Sequence, residues 1–315
     1  MKEQFDTPIL FLIFNRPDTT KQVFERIKEI RPKYLYVAAD GPRRDKLGED
    51  TLCEKARDIV VDNIDWDCEV KILFRSGNLG CKDSVSSAIS WFFEKVEYGI
   101  ILEDDCLPSL SFFQYCKFLL EEYASANNIS IISGTSYLNE KNEDYFFSRL
   151  FSIWGWATWA KVWNKVQFNI LEEDKLINDL ILSKIGDLQY AQSISNNIIN
   201  TKNGTLSSWD TYFSYHHYKN DYLSITPTKN LIKNIGETGT HYKRKSNFNN
   251  RKSYNIPKFS HRKRIDIDVD KENISFQNIL LIMKKDLQKY SKYTLLNRIK
   301  DSYEYRIKSR MRCQN

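Results

Sequence analysis

Short apolar runs alternate with amphipathic segments through the first third of this chain, and no other feature limits its fold as much. The runs are Thr7 to Phe14, Tyr34 to Ala39, Glu69 to Phe74 and Tyr98 to Leu102. The first is continuously apolar, the pattern of a strand covered on both faces. Polar residues stop each run: Asn15-Arg16-Pro17-Asp18, Asp40-Gly41-Pro42, Arg75 to Gly80, and Glu103-Asp104-Asp105. Between them lie helical patterns. One is capped by Asp18 or Thr19, with Val23, Ile27 and Ile30 on one face. A charged one runs from Asp50 to Asp62, and another from Ser84 to Val96 turns Val85, Ala88, Ile89, Phe92 and Phe93 inward. A fourth starts at Pro108, since proline suits a first helical turn. Strand–helix units of ~30 residues predict a mostly parallel sheet with helices on both faces, whose ligands bind outside the carboxyl ends of the strands. The four polar strand ends then line one rim.

The second half is less regular. Ile129 to Ser133 and Leu223 to Pro227 read as strands, Asp174 to Asn200 and Trp209 to His217 as helices, and Asn230 to His241 as a polar loop. Charge divides the chain. From Ser246 onward there are 17 Lys/Arg and 7 Asp/Glu, net +10, against +6 for the whole protein. The expected organisation is an α/β domain over 1–245 and a basic, partly helical extension over 246–315. The body is therefore acidic. With no recognition motif in view, nucleic acid is not an expected partner. Met1 to Asp6 is not followed by the apolar core of a secretory leader, and the longest apolar runs fall well short of the ~20 residues of a membrane span. Cys53, Cys68, Cys81, Cys106, Cys116 and Cys313 show neither C-x-x-C nor zinc-ligand spacing, so reduced thiols in a cytoplasmic protein are expected.

Several of these residues could carry chemistry, and each has a plainer explanation. The adjacent acids Glu103, Asp104 and Asp105 repel one another, so a solvated turn that caps the next helix through Asp105 or Ser109 accounts for them. Their place at the end of a buried strand favours a hard divalent ion that also binds phosphate oxygens. Asp40 is a plain Asp-Gly turn or an acceptor for a base N–H or ribose hydroxyls. Arg16 is a surface arginine or a phosphate partner. Gly77 to Lys82, just before a helix, could bring backbone N–H groups and Lys82 to an anion. Trp209-Asp210 is a helix start or holds a general base at Asp210. His241 could ligate metal or touch phosphate. Aromatics make up 14% of the chain, enough to fill a core. Trp154, Gly155 and Trp156, with Trp159, are therefore either core or a sugar platform.

Taken together, the stretches Phe14-Asn15-Arg16-Pro17, Ala39-Asp40-Gly41-Pro42, Asn78-Leu79-Gly80-Cys81, Gly99 to Cys106, Ser152 to Trp159, Trp209-Asp210 and Gly239-Thr240-His241 resemble the GT-A glycosyltransferases. The pattern is that of a bacterial group of nucleotide-diphospho-sugar transferases from polysaccharide (lipopolysaccharide or capsule) gene clusters. Its order is also similar to the animal N-acetylglucosaminyltransferase I enzymes. The resemblance covers residues 5–245. It implies a Rossmann-like mixed α/β sheet and an inverting hexosyl- or N-acetylhexosaminyltransferase. The donor would be a nucleoside diphosphate sugar, UDP-linked by default. The acceptor would be a hydroxyl of a glycan or lipid-linked glycan, and the cofactor Mn²⁺ with Mg²⁺ as the alternative. Arg16 and Asp40 would contact the nucleotide. Asp104 would contact ribose or sugar with Glu103 in support, and Asp105 would ligate the metal. Trp154, Gly155, Trp156 and Trp209 would line the substrate, and Asp210 would be the catalytic base. His241 would be a second metal ligand or lie near the diphosphate. The chain departs from the pattern in having Glu-Asp-Asp for Asp-x-Asp and Ser208 where Thr is usual before Trp-Asp.

The tail matches no family pattern. Phe276, Ile279, Leu280 and Met283 fall at helical spacing, with Lys284, Lys285, Lys289 and Lys292 close by. The expectation is an amphipathic basic helix, either packed on the body or lying on anionic lipid at the inner face of the plasma membrane. A sugar-1-phosphate nucleotidyltransferase is a weaker fit, because it should carry a glycine-rich loop directly after the first strand. A non-catalytic nucleotide- or glycan-binding protein would need neither the metal nor Asp210.

Overall fold

The apolar run after Thr7 forms β1 (Ile9–Ile13), buried at every residue. The computed structural model describes residues 4–138, 144–185, 187–236, 246–260, 262 and 264–286. The expected alternation follows β1 as α1 (Pro17–Ile30), β2 (Tyr34–Ala39), α2 (Glu49–Val61), β3 (Glu69–Phe74), α3 (Gly80–Phe93) and β4 (Tyr98–Glu103). Helix α1 begins earlier than a cap at Asp18 or Thr19 would give. Pro17 takes the first turn, and the Arg16 carbonyl accepts both the N–H (3.0 Å) and the hydroxyl (2.8 Å) of Thr20.

Pro108 does not start a helix. It closes a short strand, β5 (Cys106–Pro108), and α4 (Leu110–Glu122) begins two residues later. A proline is tolerated here because β5 belongs to a two-stranded ribbon, where a missing N–H can face away from the partner. The remaining elements are β6 (Ile129–Ser133), β7 (Tyr145–Ser148), β8 (Trp156–Trp159), α5 (Ala160–Trp163), α6 (Asp174–Ile185), α7 (Leu188–Lys202), α8 (Asp210–Lys219), β9 (Leu223–Pro227) and β10 (Ile232–Asn234). The polar loop expected from Asn230 thus contains β10, which pairs antiparallel with β5. The single helix expected over Asp174 to Asn200 is two helices. The Asp187 carboxylate accepts the Tyr190 N–H at 3.0 Å and caps the second. Together α6, α7 and α8 bury a satellite core of Ile177, Ile181, Ala191, Ile198, Tyr212 and Tyr215. Each fully buried isoleucine there contributes about 1.5–3 kcal/mol.

Eight strands form one mixed sheet in the order β3-β2-β1-β4-β8-β6-β9-β7. The first four are parallel, whereas β8 and β7 run against their neighbours. Helices flank the sheet, so the expected mixed α/β architecture is observed. Leu10, Phe11, Val37, Ile100, Ile101, Phe92, Phe112 and Phe113 form its dry centre. At one edge β3 is largely exposed. At the other, β7 is covered by a later segment, where Ile267 bridges Phe147 and the Asp268 N–H bonds the Phe147 carbonyl at 3.1 Å.

Helical residues 269–286 lie on the body. Phe276 and Ile279 are buried with Leu150, Leu280 and Met283 pack on the same cluster, and Tyr190 meets Phe276 edge-on at 5.1 Å. The apolar stripe that suggested a lipid-facing helix is therefore spent on packing; Lys284 and Lys285 are exposed, and Lys289 and Lys292 lie outside the described residues. Among the described residues no helix is long and apolar enough to cross a membrane. Cys53, Cys68, Cys81, Cys106 and Cys116 are free thiols, and Cys313 is outside the described residues.

Candidate active site

Strand order reverses beside β1. The chain runs outward through β2 and β3 on one side, then returns to place β4 on the other. Such a reversal splays the connections apart and opens a crevice at the carboxyl ends of the two central strands. Leu12 is paired with Glu103, so the residues that follow them face each other across the crevice. Arg16 comes from the β1 side, and Asp104 and Asp105 from the β4 side. The guanidinium spans the gap: Nη1 donates to Asp105 Oδ2 at 2.7 Å and Nη2 donates to Asp104 Oδ1. The Phe14 N–H donates to the other Asp104 oxygen at 3.2 Å.

Burial sets the electrostatics. Asp104 is 2% exposed. Burial pushes its pKa up and the adjacent Arg16 charge pulls it back, leaving it above the ordinary carboxylate range. Glu103 is raised too, first by burial and then by the charges of Asp105, Asp104 and Asp210. Burial works against the Arg16 charge, but Asp104 and Asp105 outweigh it and raise its pKa. Cys81, in the first turn of α3, is pushed up to about 12 by burial and by the Glu103 and Asp210 charges.

Asp210 opens α8 and accepts a hydrogen bond from the Ser208 hydroxyl. Its charge is felt by both Glu103 and Cys81. Arg16, Asp104 and Asp105 therefore meet directly, and Asp210 lies within electrostatic range of Glu103, although nearly two hundred positions separate Arg16 from Asp210. The ribbon of β5 and β10 closes one side. The Ile235 N–H bonds the Asp105 carbonyl at 2.8 Å, and Gly236 packs against the carboxylate. A Cβ at Gly236 would stand 2.6 Å from Asp105 Oδ2 and 3.3 Å from Arg16 Nη1, so no other residue fits without moving the pair.

Asp40 does a different job. Its carboxylate accepts the N–H groups of Gly41, Leu79 and Gly80 and the Asn78 amide, at 2.9–3.2 Å. It anchors the 77–80 loop, and Gly41 lets that loop close: a Cβ there would lie 2.5 Å from the Gly77 backbone. Lys82 sits 5.6 Å over the Tyr212 ring and 3.7 Å from Asp83, bridging α3 to α8. Of the sugar platform expected at Trp154, Gly155, Trp156 and Trp159, Trp156 and Trp159 are core, and so is Trp209, expected to line the substrate. Trp156 is 1% exposed because β8 is an interior strand between β4 and β6, and Trp209, 2% exposed at the start of α8, stacks on it at 5.7 Å. Trp154, just ahead of that strand, is half-buried, and Gly155 has φ +61°. His241 lies outside the described residues.

Glu49 escaped the sequence reading. It holds the Asn15 amide at 2.8 Å and the Arg43 backbone N–H at 2.7 Å, tying the ends of β1 and β2 together. Its only sequence signal is that of an acid in a first helical turn. The role of Gly236 was equally hidden, in what read as a polar loop.

Hard carboxylate oxygens such as those of Asp104 and Asp105 are of the type that suits a divalent ion shared with phosphate. Asp104 and Asp105 each offer a carboxylate oxygen to one cationic group, a place the guanidinium now fills. Among the described residues no three His, Cys, Asp or Glu side chains converge as a closed cage. An ion here would take the rest of its shell from a ligand and water.

No protein-family model and no curated protein sequence matches the chain. Similar solved structures include a mannosyltransferase from Pyrobaculum calidifontis in complex with GDP-Man and Mn²⁺, 8% identical over 68% of this chain and 69% of that one, TM-score 0.35. An apo UDP-glucose pyrophosphorylase is 8% identical over 72% and 93%, TM-score 0.35. A cytidylyltransferase from Leptospira borgpetersenii is 10% identical over 51% of this chain and 63% of that one, TM-score 0.32. At such scores the roles of the site residues rest on this chain's own geometry.

Proposed function

We propose that the protein is a metal-dependent, inverting glycosyltransferase. It moves a sugar from a nucleoside diphosphate sugar, UDP-linked in the first instance, to a hydroxyl of a cell-surface or lipid-linked glycan. The observation that carries this reading is the meeting of Arg16, Asp104 and Asp105 across the β1/β4 crevice, with the Asp210 charge felt at Glu103. The GT-A resemblance of the same residues supports their roles.

A divalent cation on Asp105 would neutralise charge on the departing diphosphate. Arg16, now paired with the two aspartates, offers its planar fork to the phosphate oxygens that compete for it. Asp104, held by the Phe14 N–H, presents a fixed acceptor for a ribose or sugar hydroxyl. Asp40 serves the nucleotide end by fixing the 77–80 loop. Asp210 takes the proton of the acceptor hydroxyl as that oxygen bonds the anomeric carbon. The bond from that carbon to the diphosphate oxygen breaks on the opposite side, its electron pair leaving with the diphosphate, and the configuration inverts.

The test is nucleoside diphosphate release from a panel of UDP- and GDP-sugars, with and without Mn²⁺. Release should need the ion, vanish in Asp105→Ala and fall ~10²–10⁴-fold in Asp210→Asn. Near-normal transfer by both variants would sink the assignment. Pyrophosphate release from a nucleoside triphosphate and a sugar 1-phosphate would reassign the site to nucleotidyl transfer.

A further inference from the structure

One cation on the segment tied to the crevice ribbon has no carboxylate partner among the described residues. Arg251 follows a short 3₁₀ turn, Asn247–Asn250. Its guanidinium lies over the Tyr137 ring, 4.4 Å from the centroid. Nη1 is buried without a hydrogen-bond partner, and no described carboxylate pairs with this residue. The segment that carries it is pinned in place. The Asn249 amide donates to the Gly236 carbonyl at 2.5 Å, the Tyr254 N–H bonds the Asn230 carbonyl at 2.8 Å, and the Asn230 amide bonds the Lys252 carbonyl at 3.0 Å. Gly236 is the residue packed against Asp105, so the segment that carries Arg251 is tied through Asn249 to the ribbon bordering the acidic crevice.

The Tyr137 ring beneath it belongs to an aromatic cluster. Phe248 meets Tyr137 edge-on at 6.0 Å and Trp154 edge-on at 6.3 Å. Trp154, Phe248 and Tyr137 are all only partly buried. Leaving a buried guanidinium N–H unsatisfied costs free energy that a cation–π contact offsets only in part. Burial accordingly lowers the Arg251 pKa. An apolar side chain would pack over Tyr137 without that cost. A charged group kept where it destabilises the fold is what a ligand site requires.

We propose that Arg251, with Trp154, Phe248 and Tyr137, forms an acceptor subsite for an acidic saccharide, whose oxyanion pairs with the guanidinium while its sugar ring lies against the aromatic faces. This rests on the glycosyl-transfer reading and narrows its acceptor to a glycan bearing an anionic group. A uronic acid carboxylate and a sugar phosphate share that chemistry, since both match the planar fork of arginine.

The test needs no donor. The full-length protein is titrated with methyl glucuronide, glucose 6-phosphate and methyl glucoside at matched ionic strength, read by tryptophan fluorescence and calorimetry. At least one acidic sugar should bind about tenfold or more tighter than the neutral one, the increment of one charge-assisted pair. Arg251→Gln should abolish that preference, Arg251→Lys should restore part of it, and both should leave UDP binding unchanged. The two acidic arms identify carboxylate or phosphate as the group recognised. Because Nη1 has no hydrogen-bond partner among the described residues, Arg251→Gln should unfold at the same or a higher temperature than wild type. Equal affinity of wild type for acidic and neutral sugars overturns the proposal, and so does a preference that survives in Arg251→Gln. So, too, does loss of UDP binding in that variant, which would give Arg251 to the donor. Failure of wild type to bind any nucleotide sugar, with acidic sugars still bound through Arg251, would instead defeat the transferase reading alone.

Discussion

Replacing Arg16 by methionine removes the only positive charge that pairs with Asp104 and Asp105 among the described residues, and its consequences can be worked out from the structure. The Asp104 side chain is 3% exposed, so it cannot recover hydration. It would keep only the Phe14 N–H, at 3.2 Å. Asp105, with its side chain 15% exposed, is better placed to be rescued by water. A charge-assisted hydrogen bond contributes ~1.5–3 kcal/mol, and stranding one member of a buried pair costs ~3–5 kcal/mol. The expected loss is therefore ~3 kcal/mol at neutral pH, most of it from Asp104, read as a lower urea midpoint at unchanged slope.

The loss should depend on pH in a definite direction. Arg16 is what holds the Asp104 pKa down against burial, so the variant raises it further. An acid whose folded pKa lies above its unfolded value binds more protons when folded. Its contribution is complete at low pH and is lost as pH rises through the folded pKa. The deficit of Arg16→Met should thus be widest near pH 7 to 8 and narrow toward pH 5. A divalent ion should reverse it. At a hundred times its dissociation constant an ion adds ~2.7 kcal/mol, and the gain should be larger in the variant, where the ion has no guanidinium to displace. Equal midpoints for the two proteins at pH 7.5 would refute this account of the crevice. So would a deficit that grows on acidification, or Mn²⁺ that stabilises wild type more than the variant.

Three further outcomes are expected. Gly236→Ala should keep the fold but push the Asp105 carboxylate off Arg16, lowering Mn²⁺-dependent donor turnover at least tenfold with little change in melting temperature. Asp40→Asn should leave one acceptor oxygen where two now serve the Gly41, Leu79 and Gly80 N–H groups, cost ~1–3 kcal/mol and speed amide hydrogen exchange in the 77–80 loop. Burial lowers the His217 pKa to about 3, and the ring sits neutral between the Ser130 hydroxyl (2.6 Å) and the Arg149 carbonyl (3.1 Å). Its stabilisation is present above the unfolded pKa of ~6.5 and falls away as pH drops toward 3, by up to ~1.4 kcal/mol per unit. Urea midpoints between pH 7 and 5 should fall less steeply in His217→Gln, and parallel slopes would exclude the histidine as the cause.

The amino-acid sequence by itself determined the parallel half of the sheet. Runs such as Ile9 to Ile13 and Tyr34 to Ala39 are long enough for a strand, too short for a buried helix, and stopped by Pro, Gly and Asp, so local chemistry leaves one choice. It also put Arg16, Glu103, Asp104 and Asp105 on one rim, because strand direction and strand end are both local facts. What it left open depends on partners distant in the chain. Trp156 and Trp159 have the composition of a sugar platform, and only the antiparallel insertion of β8 between β4 and β6 turns them into core. Pro108 reads as a helix start until β10 arrives to pair with it. Phe276 and Ile279 read equally as lipid-facing or core-facing, since a hydrophobic stripe says that it will be buried but not against what. Gly236 and Arg251 carry no local signal. Their meaning comes from standing beside Asp105 and Tyr137, more than a hundred residues earlier in the chain. The chemistry of the acidic triplet was local, whereas the cation that faces it, the acid at Asp210 and the glycine that leaves it room were assembled by the fold.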